Sequence, residues 1–488
     1  MRGRQAQGDA ALPTYKRVAS KDHLHDDFHG RVPGFGKEGG NPAWSRALPH
    51  VVVATISSFL FGYHLGVVND TLESISLDLG FSGNTIAEGL VVSTCLGGAF
   101  IGSLFSGSIA DYFGRKRSFQ LCALPMIVGA SVSATASSLT GMLLGRFLVG
   151  TGMGLGPSVA ALYVAEVSPA YVRGTFGSFT QIATCLGLMG SFLIGIPSKE
   201  TKGWWRVCFW IPVIPAAVLA LTIEICAESP HWLFKKGRSI EAEVEFEKLL
   251  GGFHVKSAIA ELSKSDKGDE AEAVKFSELF YGRHFKVVFI GSTLFALQQL
   301  SGINAVFYFS STVFKSAGVP SDIANMCVAL VNLSGSCVAT ILMDKLGRKV
   351  LLLGSFSGMA TALGLEILAA SSFVSRGASV YLSVGGVLLV VLFFALGAGP
   401  VPSLLLSEMF PNRIRAKAMA FCMAVHWVIN FFVGLLFLRL LEQIGAKLVY
   451  TFFATFCLIA FVFVKRNVLE TKGKSLQEIE LAYLPETK

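Results

Sequence analysis

The sequence predicts an all-α polytopic membrane protein, in which twelve transmembrane helices form two halves of six. Three observations lead to this prediction. Of the 488 residues, 52% are hydrophobic and only 15% are charged, which is too few charges to cover a water-facing surface. Apolar stretches of about 20 residues, the length that crosses a bilayer, recur along the chain. Two unrelated charged motifs also occur twice, at nearly the same spacing.

The loops between the apolar stretches alternate in charge. The first loop is acidic, with Asp70 and Glu73, and the second is basic, with Arg115 and Lys116. Basic loops face the cytosol, or its topological equivalent in an organelle, so both termini are expected on that side. The twelve predicted spans begin near these residues: Val51, Val91, Phe119, Met142, Phe176, Val207, Val287, Ala324, Val350, Tyr381, Met419 and Val449.

The charged loops carry an internal repeat. The motif Asp-Tyr-Phe-Gly-Arg-Lys-Arg at 111–117 returns as Asp-Lys-Leu-Gly-Arg-Lys-Val at 344–350, an offset of 233 residues. The motif Glu-x-x-Pro-x-x-x-Arg at 166–173 returns at 408–415, an offset of 242 residues. Parallel repeats of this kind are typical of transporters, in which a site between two halves opens alternately to each side. The charged side chains are expected to pair when one side closes; the alternative is that they only fix topology and packing.

The same features divide the chain into segments. The polar N-terminal segment is predicted to be disordered, because it has few residues that could form a core. The long loop between spans six and seven contains an amphipathic pattern over residues 240–250, in which Val244, Leu249 and Leu250 lie among glutamates, so this loop is predicted to be helical. The predicted segments are a disordered N-terminus (1–47), an N-terminal half (48–227), an intracellular helical linker (228–286), a C-terminal half (287–466) and a C-terminal tail (467–488).

Several short motifs identify a family. They are Gly107-x-x-x-Asp111-x-x-Gly114-Arg115-Lys116, Arg173-Gly174, Glu228-Ser229-Pro230, Gln298-Gln299-Leu-Ser301-Gly302-Ile-Asn304 and Glu470-Thr471-Lys472-Gly473. With these motifs the chain resembles the sugar porter family of the major facilitator superfamily over roughly residues 48–483. More narrowly, segments 61–69 and 397–402 are similar to those of plant plastidic glucose transporters. The resemblance implies the major facilitator fold and hexose transport, most simply of glucose, by alternating access.

A sugar is a neutral polyol, so its site needs amide groups and aromatic faces and no strong charge. On a straight helix Gln299 and Asn304 would point about 140 degrees apart, but a break at Ser301-Gly302 would let both face one cavity. The alternative is that these amides only join helices. Relatives carry an acidic residue and a tryptophan on span ten, where this chain has Ala395 and Ser403. The resemblance implies these substrate-binding residues: Gln181, Gln298, Gln299, Asn304, Asn332, Trp427, Asn430, Phe307 and Phe394.

The resemblance also bears on gating and coupling. Proton-driven family members pair an aspartate on span one with an arginine on span four, but here His64 takes the place of that aspartate and faces Arg146. Facilitative uniport is therefore expected; the alternatives are a proton-coupled monosaccharide symporter and, less readily, a sugar sensor that does not transport. The implied gating and charge network comprises Asp111, Arg115, Glu166, Arg173, Glu228, Asp344, Arg348, Glu408 and Arg415.

No enzymatic activity is expected, because the sequence shows no nucleophile and base pair, metal cluster or phosphate-binding loop. No cofactor or metal is expected either. The expected partners are a hexose and the lipid bilayer, without nucleic acid, and the functional unit is expected to be a monomer. The resemblance places the protein in the plastid (chloroplast) envelope, and the Golgi or another endomembrane is the alternative.

Overall fold

The computed structural model describes residues 42–199, 201–269, 279–281, 284–371, 374–474 and 476–483. Within these ranges the regular secondary structure is helical, without a strand. Residues 1–41, which hold most of the predicted disordered segment, lie outside the described residues, and the first helix begins at Trp44. Asn41–Lys488 form one compact unit.

Twelve membrane-spanning segments follow one another along the chain, which confirms the predicted fold class. Eleven helices are long and apolar enough to cross a membrane, and the last of them contains two spans, because Gly445 has a non-helical backbone (φ 78°, ψ 161°). Spans one to six are Trp44–Asp78, Thr85–Phe113, Arg115–Thr135, Leu139–Val167, Arg173–Gly195 and Trp205–Ile225. Spans seven to twelve are Phe285–Ser316, Ser321–Leu346, Arg348–Ala369, Gly377–Met409, 412–444 and 446–467.

Two spans of the C-terminal half are discontinuous. Span seven consists of helices Phe285–Leu300 and Ile303–Ser316, separated at Gly302, whose φ of 83° is left-handed. A Cβ atom at Gly302 would lie 2.4 Å from the ring of Phe453, so glycine is needed there for both conformation and space. Span ten contains a π-helical turn, Phe394–Ala398. Such breaks leave backbone groups free to line a site.

Glycines in span four allow close packing against span two. A Cβ atom at Gly150 would lie 1.9 Å from the carbonyl oxygen of Cys95, and one at Gly154 would lie 2.0 Å from that of Ala99. The helix backbones are therefore in direct contact, as is common for small residues in membranes. Spans two and four consequently form a rigid pair.

The linker between the halves is helical where the structure describes it, with helices Pro230–Lys235, Ser239–Leu250 and Gly252–Asp269. The second of these is the predicted amphipathic helix, but its buried face differs from the predicted set. It buries Ala242, Phe246 and Leu249, which share one helix face, whereas Val244 lies on another face and is 48% exposed. A short helix, Leu476–Tyr483, follows span twelve.

Candidate functional site

A cavity of about 240 Å³ lies between the two halves. Spans one, four and five line it from the N-terminal half, and spans seven, eight, ten and eleven line it from the C-terminal half. The described residues that line it include no aspartate, glutamate, lysine or arginine. The structure brings together at this cavity all nine residues predicted to bind substrate: Gln181, Gln298, Gln299, Asn304, Asn332, Trp427, Asn430, Phe307 and Phe394.

A chain of amide hydrogen bonds runs along one wall of the cavity. Gln298 donates from Nε2 to the carbonyl oxygen of Ala398 in the π-helical turn (2.5 Å). Gln299 donates from Nε2 to Oε1 of Gln298 (3.1 Å), and Asn304 donates from Nδ2 to Oε1 of Gln299. The break of span seven thus brings Gln299 and Asn304 into contact. Gln299 binds both of the other amides, so it is the central residue of this hydrogen-bond chain.

His426 is a cavity residue that the sequence analysis did not place in the site. Its Nδ1 lies 3.0 Å from Nε2 of Gln299, so the amide donates and the ring accepts. The sequence held a signal for it, because His426 and Asn430 are four residues apart and therefore share a helix face. His426 extends the amide chain from span seven to span eleven.

Aromatic side chains form the neighbouring wall. Trp427 is only 3% exposed, and its ring meets Phe61 and His426 edge to face, with centroids 6.2 and 5.0 Å away. The indole Nε1 of Trp427 has no hydrogen-bond partner among the described residues. A buried donor without a partner is costly, and a ligand hydroxyl in the cavity would supply an acceptor. Phe307 and Phe394 also meet edge to face, at 6.3 Å.

Opposite this wall, the two halves meet at Cys185 of span five. Nδ2 of Asn332 lies 3.5 Å from the Cys185 sulfur, and Nε2 of Gln181 lies 3.8 Å from it. The Ser336 hydroxyl lies 3.4 Å from the same sulfur. Sulfur is a weak acceptor, so both amides are readily released to a sugar hydroxyl.

Polar contacts between the halves close the side of the cavity away from the basic loops. Asn69 of span one donates to the carbonyl oxygen of Phe307 (3.0 Å) and to Ser310 (2.6 Å), and accepts from the backbone of Ser311 (2.8 Å). The next residue, Asp70, accepts hydrogen bonds from Ser311 and from Asn325 of span eight (2.8 Å). We call these five side chains and the Phe307 carbonyl the outer gate. Two ion pairs between the halves flank it: Lys199 with Asp322, and Lys315 with Glu73.

On the basic side, the predicted charges of the N-terminal half form one cluster. Arg115 binds Glu166 through two hydrogen bonds of 2.8 Å and lies 3.5 Å from Asp111. Glu228 accepts hydrogen bonds from the backbone N–H groups of Arg115 (3.0 Å) and Lys116 (3.3 Å), which cap span three. This cluster joins helices of a single half.

The C-terminal half repeats this arrangement. Arg348 binds Glu408 at 2.9 Å, and Glu470 accepts from the backbone N–H groups of Arg348 (2.9 Å) and Lys349 (3.0 Å). Glu470 was not among the predicted network residues, although it follows Glu228 by 242 residues, the offset of the second repeated motif. The same spacing was the signal that could have found it.

The remaining predicted network residues are placed differently. Arg173 is exposed and lines a cavity of about 430 Å³ on the basic side, together with Glu166 and His231. Arg415 donates from Nε to the carbonyl oxygen of Phe410 (3.2 Å). The side chain of Asp344 lies outside what the structure describes.

The two capping carboxylates titrate in opposite directions. Burial raises the pKa of Glu228 in spite of its backbone hydrogen bonds. Burial also acts to raise the pKa of Glu470, but four backbone N–H donors together outweigh it, so the pKa of Glu470 is lowered. A lowered folded-state pKa means that the carboxylate stabilises the fold above its unfolded pKa of about 4.3, and that this stabilisation is lost as the pH falls through the folded pKa.

Glu470→Gln is therefore expected to lower the stability of the purified protein at neutral pH by about 1 kcal/mol, the usual cost of losing a cap. The difference from wild type should shrink as the pH falls below about 4. Thermal unfolding at a series of pH values measures both effects. Glu243→Gln, on the exposed face of the linker helix, is the matched control and should unfold like wild type. A loss that is constant with pH would contradict the role of the charge.

The residues proposed for coupling lie between spans one and four. His64 is fully buried, and neither ring nitrogen has a hydrogen-bond partner among the described residues. The guanidinium of Arg146 binds the backbone carbonyl of His64 (3.4 and 3.5 Å) and that of Val91 (3.1 Å). Arg146 is thus held by carbonyl groups, and among the described residues it has no carboxylate partner.

Two six-helix halves around a shared cavity, with discontinuous helices at the cavity and contacts between the halves closing one side, define a secondary transporter of the major facilitator superfamily. The chain belongs to the sugar transporter family: the profile described as "Sugar (and other) transporter" matches residues 50–483.

Named relatives and a solved structure agree with this assignment. The chain is 68% identical to "Probable plastidic glucose transporter 3" of Arabidopsis thaliana, over 100% of this chain and 98% of the relative. It is 67% identical to "Probable plastidic glucose transporter 2" of the same plant, over 96% and 97%. The structure of the proton:xylose symporter XylE bound to 6-bromo-6-deoxy-D-glucose matches with a TM-score of 0.77 and 28% identity, over 90% of this chain and 99% of that one.

Proposed function

We propose that this protein carries glucose across the plastid envelope by alternating access, as a facilitative uniporter with a monomeric functional unit. The observation that carries the proposal is the cavity, which offers amides, an unpaired indole N–H and aromatic faces but no acidic or strongly basic side chain. A neutral hexose needs such groups. The relatives named plastidic glucose transporters support both the substrate and the membrane.

The region around His64 favours uniport. A proton carrier needs a group that gains and loses a proton as the site opens to each side, and an acid next to an arginine would suit that role. Here the histidine ring is buried without a polar partner, and Arg146 binds backbone carbonyls. Arg146 therefore helps to hold these helices together. No acidic side chain among the described residues beside it could bind and release a proton.

We expect purified protein in liposomes to catalyse counterflow of labelled glucose, and we expect an imposed pH gradient to leave the final distribution of sugar unchanged. The reason is that no proton accompanies the sugar in a uniporter. The measurement is radiolabelled glucose uptake into liposomes preloaded with unlabelled glucose, with and without the gradient. His64→Asp should be measured alongside wild type, because this substitution places an acid beside Arg146.

Other outcomes would contradict separate parts of the proposal. Accumulation of sugar driven by the gradient in wild type would make the protein a symporter. Binding of glucose without counterflow of any hexose would make it a sensor. A fluorescent fusion that labels Golgi stacks and not the plastid envelope would overturn the proposed location.

A further inference from the structure

A buried carboxyl group lies near the outer end of span nine, where the mechanism above does not use it. Glu366 is 2% exposed and lies within one turn of the end of the helix Arg348–Ala369. Its Oε2 accepts a hydrogen bond from Ser383 of span ten (3.1 Å). Its Oε1 is buried without a hydrogen-bond partner of ordinary geometry among the described residues.

The packing around Glu366 is shaped for this side chain. A Cβ atom at Gly386 would lie 2.5 Å from Oε1, so only glycine leaves room for the carboxyl group there. Glu366 also borders a small cavity of about 20 Å³, which is about the space of one water molecule. The apolar side chains Val387, Val390 and Phe437 form much of the wall.

The described residues that line the cavity place no cation beside the carboxyl group. Span seven contributes the hydroxyl groups of Ser301 and Ser310, span ten contributes Ser383, and span twelve contributes Tyr450, which is the other titratable side chain at this cavity. The residues lining the cavity include no lysine, arginine or histidine. An ionised Glu366 would therefore be a buried charge without a counterion, and such a charge is strongly unfavourable in a membrane protein.

The cavity lies against the break of span seven and the helix that follows it. Ser301 and Gly302, at the break of that span, line it together with Glu366. The helix that follows the break carries Ser310 and Ser311, which bind Asn69 and Asp70 in the outer gate. The same helix therefore borders the cavity of Glu366 on one side and contributes Ser310 and Ser311 to the outer gate on the other.

We propose that Glu366 is a proton-binding site that regulates the outer gate: the protonated carboxyl group permits the closed packing behind span seven, and the ionised group opposes it. This proton stays on the protein and is not carried with the sugar, so the proposal is compatible with uniport. It rests on the proposed transport function. Exchange of sugar requires the gate to close in every cycle. Raising the pH equally on both sides therefore slows exchange.

The first test is chemical and does not depend on transport. Dicyclohexylcarbodiimide, an apolar reagent, adds to a protonated carboxyl group: the carboxyl oxygen bonds to the central carbon, the proton passes to one nitrogen, and the adduct rearranges to a stable N-acylurea without a leaving group. Peptide mass spectrometry should find this adduct on Glu366, and less of it as the pH rises. Glu224, whose side chain is 60% exposed and lies 3.7 Å from Lys116, should remain unmodified. Labelling of Glu224 in preference to Glu366 would overturn the proposal.

The second test compares counterflow of wild type, Glu366→Gln and Glu224→Gln from about pH 5 to about pH 9, with equal pH on both sides. An ordinary glutamic acid, with a pKa of about 4.3, would be ionised over this whole range and would cause no change. Wild type and Glu224→Gln should slow severalfold as the pH rises. Glu366→Gln, which mimics the protonated group, should stay fast throughout.

The outcomes separate the two proposals. If Glu366→Gln slows with pH as wild type does, or if wild type does not respond to pH, Glu366 is not the regulating group, although glucose transport still stands. If wild type catalyses no counterflow at any pH, the transport function itself fails, and the labelling result alone decides whether Glu366 binds a proton.

Discussion

Replacing Gln299 with alanine is expected to reduce the efficiency of glucose counterflow by at least about a hundredfold. Gln299 binds Gln298, Asn304 and His426, so its loss leaves three polar groups of the cavity wall without their partner. Leaving buried polar groups unpaired costs about 1–3 kcal/mol for each, and a loss of about 3 kcal/mol in the transport transition state corresponds to about a hundredfold. Initial rates of counterflow at several glucose concentrations measure the change.

Gln120→Ala is the matched control for this variant. Gln120 lies on span three and donates to Glu224 (2.7 Å) and to the carbonyl oxygen of Ala220 (3.3 Å), so it is an amide outside the cavity. We expect it to transport as wild type does. Thermal unfolding and gel filtration should show that Gln299→Ala is folded. A folded Gln299→Ala protein with normal counterflow would contradict the assignment of this wall to the sugar.

Cross-linking the two halves at the outer gate is expected to stop transport completely. Lys315 and Glu73 form an ion pair between the halves, and both side chains are more than half exposed (52% and 60%). If both are replaced by cysteine, a short reducible bis-methanethiosulfonate reagent can join them in the closed state. Alternating access requires the halves to separate here, so the linked protein should lose all counterflow. Reduction should restore it.

The two single variants, Lys315→Cys and Glu73→Cys, are the controls for the cross-link. Each offers one thiol at the gate on the same background of native cysteines, so each should keep its counterflow after treatment. Mass spectrometry of the treated double variant establishes the link. Counterflow that continues in fully cross-linked protein would rule out separation of the halves at this gate.

Part of the fold and of the candidate site could be predicted because it depends on features of neighbouring residues in the sequence. Gln299 and Asn304 lie on either side of Ser301-Gly302, and a glycine in a helix indicates a break that turns both amides to the same side. The hydrophobic length of each span and the repeated charged motifs are also readable without tertiary information. These local features were enough to predict the twelve spans, whereas the nine predicted substrate-binding residues, which all line the cavity, came from the family resemblance.

Features that depend on contacts between distant segments were not predicted. In the sequence Asp70 belongs to the acidic first loop, and only the packed structure shows that Asn69 and Asp70 meet Ser310, Ser311 and Asn325 of the other half. The burial of Glu366 could not be predicted either, because hydropathy does not distinguish an exposed residue at a helix end from a residue in a buried site. His64 was expected to lie beside Arg146, and the sequence could not show that the arginine binds its backbone carbonyl group.

The connection between spans eleven and twelve has a practical consequence for probing orientation in the membrane. It is reduced to Gly445, whose positive φ suits only glycine, so a tag or protease site inserted there would unwind the ends of both helices. The turn between spans one and two is a better place on the same face. Gly80 and Gly83 have open space around them and exposed neighbours, so an inserted epitope at this turn would report sidedness without disturbing the helices.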